Sequence, residues 1–480
     1  MIAMTLAEVA EAIDGRLAGA DPAAIVTAGV EFDSRSIAPG GLFLALPGEH
    51  VDGNDYVHAA VERGAVGAIV TRYTEGPCIL VADGFGAIAA LASAVARRLA
   101  GSTIVGITGS SGKTSTKDLI AQLLGRLAPT VAPPGSFNNE LGHPYTVLLA
   151  DEHTRFLVLE TSARGLGHIR YLTQIAPPRI GVVLNVGSAH LGEFGSREVI
   201  AQAKGELVEA LPSAGDGGVA ILNTDDRIVA AMASRTAARI VTVGRSASAD
   251  VRAEAVVLDE FGRAAFTLHA AGAAAHVALR LVGEHHVDNA LAAAAVALEC
   301  GMPLDDVALV LGEATAKSHW RMEPTERADG VLILNDAYNA NPESMRAALK
   351  TLATIARARR ARGGRSFAVL GPMAELGDDG PEEHDALGRL AVRLDISTVI
   401  AVGEQARPIQ HGAALEGSWD GESRWVADAD AAIAMLRSEL RSGDVVLVKA
   451  SRAASLEQVA VAIAEDAVQT TTEGPGGGTA

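Results

Sequence analysis

Gly106-Ile-Thr-Gly-Ser-Ser-Gly-Lys-Thr114 follows the apolar run Thr103 to Ile107 and opens the helical run Lys113-Thr-Ser-Thr-Lys-Asp-Leu-Ile120. Strand, glycine-rich turn and helix in that order bring consecutive backbone N–H groups and a helix N-terminus to one point, which suits a triphosphate. Lys113 then reaches the outer phosphates and Thr114 a magnesium ion. The strict Walker pattern places glycine where Ile107 stands, and the nearest glycines are Gly106 and Gly109. The loop is a compact variant, and its setting between strand and helix points to an α/β fold.

Working outward, strand-like apolar runs recur between helical segments at Thr103 to Ile107, Arg155 to Leu159, Arg179 to Val186, Gly218 to Leu222 and Ile240 to Val243. Such spacing predicts a mostly parallel sheet covered on both faces. The block Val251 to Val282 alternates and predicts an antiparallel appendage, followed by an Ala-rich helix from Val287. A second α/β series begins near Trp320, with strands expected at Val331 to Leu334, Phe367 to Leu370, Thr398 to Val402 and Val445 to Val448. Before the phosphate loop, an Ala-rich helical stretch closes on Arg97 and Arg98 and a joint follows at Gly101 and Ser102. The expected organisation is therefore a small mixed α/β domain over 1–101, a central P-loop domain over 102–317, a C-terminal Rossmann-like domain over 318–467, and a disordered tail over 468–480.

Composition bounds the function. With 49% hydrophobic and only 4% aromatic residues, the cores are built from Ala, Val, Leu and Ile. The net charge of -18 repels polyanions and argues against general nucleic-acid binding. Cys78 and Cys300 are the only cysteines, as expected for a reducing cytosol, and no apolar run approaches the length of a membrane span. A soluble, intracellular protein is expected. Of the 40 basic residues, 34 are Arg, and the lysines are confined to positions 113, 117, 204, 317, 350 and 449. A lysine retained in such a chain is a candidate for work that needs a compact or deprotonatable amine, against the plainer reading of codon bias.

Further candidates stand at strand ends, the edge where open α/β sheets bind ligands. Glu160 ends Phe156-Leu-Val-Leu-Glu160, and His190 follows Val182-Val-Leu-Asn-Val-Gly-Ser-Ala189. Each is a metal-ligand candidate, the alternatives being a surface carboxylate and a hydrogen-bonded structural histidine. A helix starting near Ser196 sets Lys204 in an apolar stripe with Ile200, Val208 and Leu211. Burial would make this amine nucleophilic and open to covalent modification; the alternative is a snorkelling side chain. In Asp336-Ala-Tyr-Asn-Ala-Asn-Pro342, Asn339 and Asn341 lie on a turn before a helical run. Their amides can bind a peptide backbone, or they merely shape the turn and cap the helix.

Several long stretches resemble the Mur ligase family of bacterial cell-wall synthesis. They are Thr108 to Thr114, Gly135-Ser-Phe-Asn-Asn-Glu-Leu-Gly-His-Pro-Tyr-Thr146, Asn335 to Met345, Leu370-Gly-Pro-Met-Ala-Glu-Leu-Gly377 with His384, Lys449-Ala-Ser-Arg-Ala453, Asp33-Ser-Arg35 and Pro39 to Glu49. Within the family the match is to members that join D-Ala-D-Ala to UDP-MurNAc-tripeptide. The resemblance implies an ATP-dependent, ADP-forming amide ligase of peptidoglycan synthesis, serving cell shape and division; a cytoplasmic monomer is expected. It further implies that Thr108, Gly109, Ser110, Ser111, Gly112, Lys113 and Thr114 hold ATP, with Asn289 facing the adenine and Arg321 and Asp336 reaching the nucleotide. Thr114 and Glu160 would hold one magnesium ion, and His190 a second together with Lys204 carbamoylated by carbon dioxide. Lys113, Lys204 and His190 would form the catalytic set. Ser34 and Arg35 match the UDP-contacting segment, Asn138 and Asn139 the muramoyl-peptide path, and Asn339 and Asn341 the dipeptide side.

The sequence departs from the family pattern at Asn335, where a second Asp is common, at Ala450, where Gly is usual, and at Trp320, where Gly often precedes the Arg. The rivals are another Mur-type or folylpolyglutamate synthetase-like ligase, which the Tyr338 to Pro342 stretch disfavours, and a non-catalytic nucleotide-binding relative. Retention of Lys113, Glu160, His190 and Lys204 together argues against the last.

Overall fold

Thr103–Thr108, the strand that feeds the phosphate loop, lies inside a nine-stranded sheet between Phe156–Glu160 and Ile180–Val183. The computed structural model describes residues 1–48, 51–99, 101–187, 191–417, 419 and 421–469. Later strands are added on opposite sides of Thr103–Thr108, so the strand order reverses there and the loop opens into the crevice where such sheets bind ligands. Every pairing from the edge strand Thr130–Val131 across to Val251–Leu258 is parallel. The expected antiparallel appendage, Val251–Leu258, Arg263–Ala270 and Ala273–Val282, continues this same sheet, with a bulge between Glu254 and Val257.

Helices cover both faces, and composition explains how. The Ala-rich helix His286–Glu299 buries Ala290 to Ala297 without interruption, and these small side chains let it pack closely on the phosphate-loop helix Lys113–Leu124 beside Val105 and Ile107. On the opposite face Arg197–Glu209 packs Ile200, Ala203, Leu207 and Val208 against Val183, Ala220 and Leu222.

The C-terminal residues form a second sheet in the order Glu323–Glu326, Leu332–Asn335, Val445–Lys449, Ser366–Leu370, Thr398–Val402 and Glu422–Val426, parallel except at Glu323–Glu326. The N-terminal residues form a mixed five-stranded sheet from Arg16–Ala18 to Val30–Glu31. Its helix Gly84–Arg98 shares an apolar core with the central sheet, where Ile88, Leu91 and Val95 meet Ile104, Val147 and Leu157. The helix Glu457–Gln469 runs two residues into the segment expected as tail, and 470–480 lie outside the described residues. Among the described residues, no helix is long and apolar enough to cross a membrane.

Candidate active site

Glycine is required in the phosphate loop for two separate reasons. Gly112, the N-cap of Lys113–Leu124, has φ +82°, and a Cβ there would come within 2.5 Å of Asn289 Oδ1. Gly109 has no such dihedral, but a Cβ would lie 2.9 Å from Leu184 Cβ. No side chain caps the helix, so its first-turn amides face the cleft. The loop is held from the neighbouring strand end by Asn185, whose Oδ1 accepts from Ser110 N and Ser111 N at 2.9 and 3.0 Å. Ser110 Oγ in turn accepts from Gly187 N at 2.8 Å. Lys113 Nζ donates to Gly109 O at 2.8 Å, folding back over its own loop, and burial lowers its pKa. We expect Gly112→Ala to raise the KM for ATP about tenfold, because left-handed strain alone costs about 1–2 kcal/mol. An ATP titration of the variant that matches wild type would refute the fit.

Glu160 ends its strand fully buried. Its Oε2 accepts from Thr114 Oγ1 at 3.3 Å, Ser136 Oγ at 3.2 Å and Asn138 Nδ2 at 3.4 Å. Its Oε1 is buried and has no partner among the described residues. A carboxylate with one orphaned oxygen beside a threonine hydroxyl suits a hard divalent cation. Among the described residues no group of three or more His, Cys, Asp or Glu side chains could hold a metal ion. Burial pulls His143, beside the Glu160 carbonyl, down to about 4, which keeps it neutral.

Lys204 lies on Arg197–Glu209, a helix capped by Ser196, and is 3% exposed. Burial first, then the nearby positive charge of Lys113, lowers its pKa to about 7. Glu206 on the same helix accepts from Gly167 N and Arg170 N at 2.6 and 3.0 Å, which pins the start of the helix His168–Ile175. His190 lies outside the described residues.

The C-terminal sheet meets this loop directly. Arg321 Nη2 donates to Thr114 Oγ1 at 3.2 Å, and its guanidinium lies 4.2 Å above the Tyr338 ring. Asp336 is held by Lys449 Nζ at 2.7 Å and by Met322 N at 3.1 Å. Lys449 Nζ also donates to Asn339 O at 2.8 Å. Asn341 does two jobs at once. Its Oδ1 accepts from Ser344 N as the cap of Pro342–Arg360, while its Nδ2 donates to Ser110 O of the phosphate loop at 3.1 Å. Asn339 is exposed on the cleft wall. Trp320 has φ +57°, a conformation that glycine adopts without strain, and its ring is held under the Arg452 guanidinium.

Between the two sheets lies a cleft of about 590 Å³ lined by Ser110 to Thr114, Asn138, Asn139, Asn289, Arg321, Asp336, Asn339 and Asn341. Ser34 and Arg35 are not in its lining; they form a turn capped by Asp33, with Arg35 exposed and paired to Asp33. The N-terminal sheet reaches the cleft segment through Phe32, Tyr145 and Phe137, whose rings follow one another at 5.4 Å, and through Tyr145 Oη donating to Glu31.

Three family patterns match the chain in order: the Mur ligase family catalytic domain over 27–83, the middle domain over 107–297, and the glutamate ligase domain over 320–452. The UDP-N-acetylmuramoyl-tripeptide–D-alanyl-D-alanine ligase of Mycobacterium tuberculosis is 53% identical across 97% of this chain and 98% of its own length. The chain belongs to the Mur ligase family. The ligase of the same name from Escherichia coli is 34% identical, covering 97% of this chain and 99% of its own. Among solved structures of the family, MurF from Acinetobacter baumannii superposes with a TM-score of 0.85 at 32% identity, covering 96% of this chain and 99% of that one. MurF from Thermotoga maritima in complex with ADP gives 0.79 at 29% identity, covering 93% and 99%.

Proposed function

We propose that this Mur ligase joins D-Ala-D-Ala to UDP-MurNAc-tripeptide at the expense of ATP, giving UDP-MurNAc-pentapeptide, ADP and phosphate in the cytoplasmic stage of peptidoglycan synthesis. The observation that carries the reading is the junction of Arg321 with Thr114 and of Asn341 with Ser110, beside cleft walls that include Asn138 and Asn139. That arrangement gives one space to a triphosphate, an acceptor carboxylate and an incoming amine, as the relatives' named reaction requires. The functional units are taken as 1–101 for the UDP-muramoyl peptide, 102–317 for ATP and 318–467 for the ligase half. Ser34 and Arg35 hold the UDP end, and the protein acts as a monomer.

A carboxylate does not condense with an amine at neutral pH. The tripeptide's terminal carboxylate oxygen therefore attacks the γ-phosphorus, releasing ADP and forming an acyl phosphate. The neutral dipeptide amine then adds to the acyl carbon, and the tetrahedral intermediate expels phosphate. Lys113 and the loop from Gly109 to Gly112 hold the phosphates and oppose the charge that develops there, and Arg321 and Asp336 align the nucleotide beside Asn289. Thr114 and Glu160 would hold one magnesium ion, and His190 with carbamoylated Lys204 a second, supplying charge neutralisation at the transferred phosphoryl group. Because an acyl phosphate hydrolyses readily, contact of the C-terminal residues with the central ones, through Asn341 on Ser110 O and through Glu375 O accepting from Gly192 N at 3.3 Å, serves to exclude water.

The incoming nucleophile is the dipeptide, with Asn339 and Asn341 on its side of the cleft. Phosphate release should require UDP-MurNAc-tripeptide and D-Ala-D-Ala together. Stimulation by D-alanine, L-lysine or diaminopimelate but not by the dipeptide would overturn the assignment, and release independent of both substrates would favour a non-ligase ATPase.

A further inference from the structure

Lys317 and Lys350 are exposed, and Lys113, Lys204 and Lys449 belong to the site described above. Lys117 remains. It stands one turn into the phosphate-loop helix, 1% exposed, with Nζ 2.5 Å from Asp118 Oδ1 and donating to Pro133 O at 2.8 Å. Asp118, 7% exposed, accepts from Ser318 N at 3.0 Å with its other oxygen. One turn further along, Gln122 holds Thr315 through Nε2 to Thr315 O at 3.0 Å and Thr315 N to Oε1 at 3.1 Å. A single helix thus grips two segments that are remote from each other in sequence.

Each gripped segment delivers a cleft side chain three residues later. From Pro133 the chain reaches Ser136, whose hydroxyl bonds Glu160, and then Asn138 on the cleft wall. From Ser318 it reaches Arg321, which bonds Thr114. Thr114, Asp118 and Gln122 follow one another at four-residue spacing, so the face that begins at the phosphate site continues into the grip on 315–318. A buried charge pair is a poor device for stability alone, because desolvating two ions consumes most of their attraction. Its value here lies in where its remaining hydrogen bonds go.

We propose that Lys117 and Asp118 are positioning residues that register the muramoyl-peptide segment and the entry to the C-terminal sheet on the phosphate-loop helix, so that the acyl acceptor and Arg321 are aligned together. The inference rests on the ligase reading given above. A pair that only held the fold would change melting temperature and every kinetic constant together. A positioning pair separates them.

The test is Lys117→Met/Asp118→Leu, since apolar residues of similar volume often replace a buried pair without loss of stability. We expect melting within a few degrees of wild type, an ATP Kd within about threefold, a KM for UDP-MurNAc-tripeptide raised about tenfold and a kcat lowered about 10²-fold, the size expected of small misplacements in a reacting site. Should the double variant fail to fold, Asp118→Asn keeps the volume but offers Ser318 N an amide oxygen, a weaker acceptor than a carboxylate, and breaks the ion pair, so the same split is expected at a smaller size, with kcat lowered about tenfold. A folded variant with all constants within about twofold of wild type overturns the proposal. Wild type assayed in parallel separates the two claims: an inactive wild type counts against the ligase reading, whereas an active wild type with unaffected variants counts against the positioning role.

Discussion

Lys113→Ala is expected to abolish ligation, by at least about 10³-fold in kcat/KM, while leaving melting temperature and circular dichroism unchanged. The asymmetry follows from the side chain's surroundings. Among the described residues its amine bonds the Gly109 carbonyl within the same loop, and the charges that act on it are those of Glu160 and Arg321. Truncation therefore opens no hole in the core formed by Leu119, Ile120, Leu123 and Leu124 on the buried side of the same helix. It removes a cation whose burial already depresses its pKa, in a place where triphosphate charge would restore the protonated form. Phosphate release with both substrates, run beside a melting curve, is the deciding pair of measurements. Near-normal release from a folded Lys113→Ala protein would refute the phosphate-loop assignment.

The fold was legible wherever burial wrote itself as an unbroken apolar run. The runs ending near Ile107, Leu159, Leu222 and Val448 became central strands of parallel sheets, because strands covered on both faces must be apolar throughout. Glu323–Glu326 and Glu422–Val426 are not legible as strands, since they are edge strands rich in polar residues and only their neighbours' backbones bring them into the sheet. In the site the same distinction holds. Glycines, Lys113 and Thr114 carry their meaning in local spacing, whereas Asn185 on the loop amides and Lys117 on Pro133 depend on contacts across 74 or 75 and 16 residues. Asn185 lies within Val182 to Ala189, where a polar side chain in an apolar run is the available signal. Trp320 runs the other way. Its departure from the family's glycine marked a position that the structure shows to be left-handed.

Lys204→Ala is expected to lose most activity, on the order of 10²–10³-fold, and to regain part of it with added formate or acetate, which can supply the missing anion. The reasoning begins with the helix face. Ile200 and Val208 are fully buried on either side of Lys204, so the amine is desolvated rather than led out to water. No carboxylate among the described residues offsets that burial, and Lys113 adds a like charge, which together lower the pKa to about 7. Such an amine is neutral above that pH and protonated below it. Carbamate formation, R–NH2 + CO2 → R–NH–COO⁻ + H⁺, consumes the neutral amine and releases a proton. Both factors push it in the same direction, so at fixed carbon dioxide pressure the activity should rise as pH increases through about 7. The product would turn a cation into an anion suited to magnesium, a role for a lysine in a chain where 34 of the 40 basic residues are Arg. Lys204→Arg, charged at every accessible pH, should be inactive and not rescued by carbon dioxide. A carbamate resonance in protein equilibrated with ¹³C-labelled carbon dioxide, absent from Lys204→Ala, supplies a readout independent of turnover. Full activity in Lys204→Arg, or an unchanged rate after carbon dioxide is stripped from the wild type, would rule the modification out.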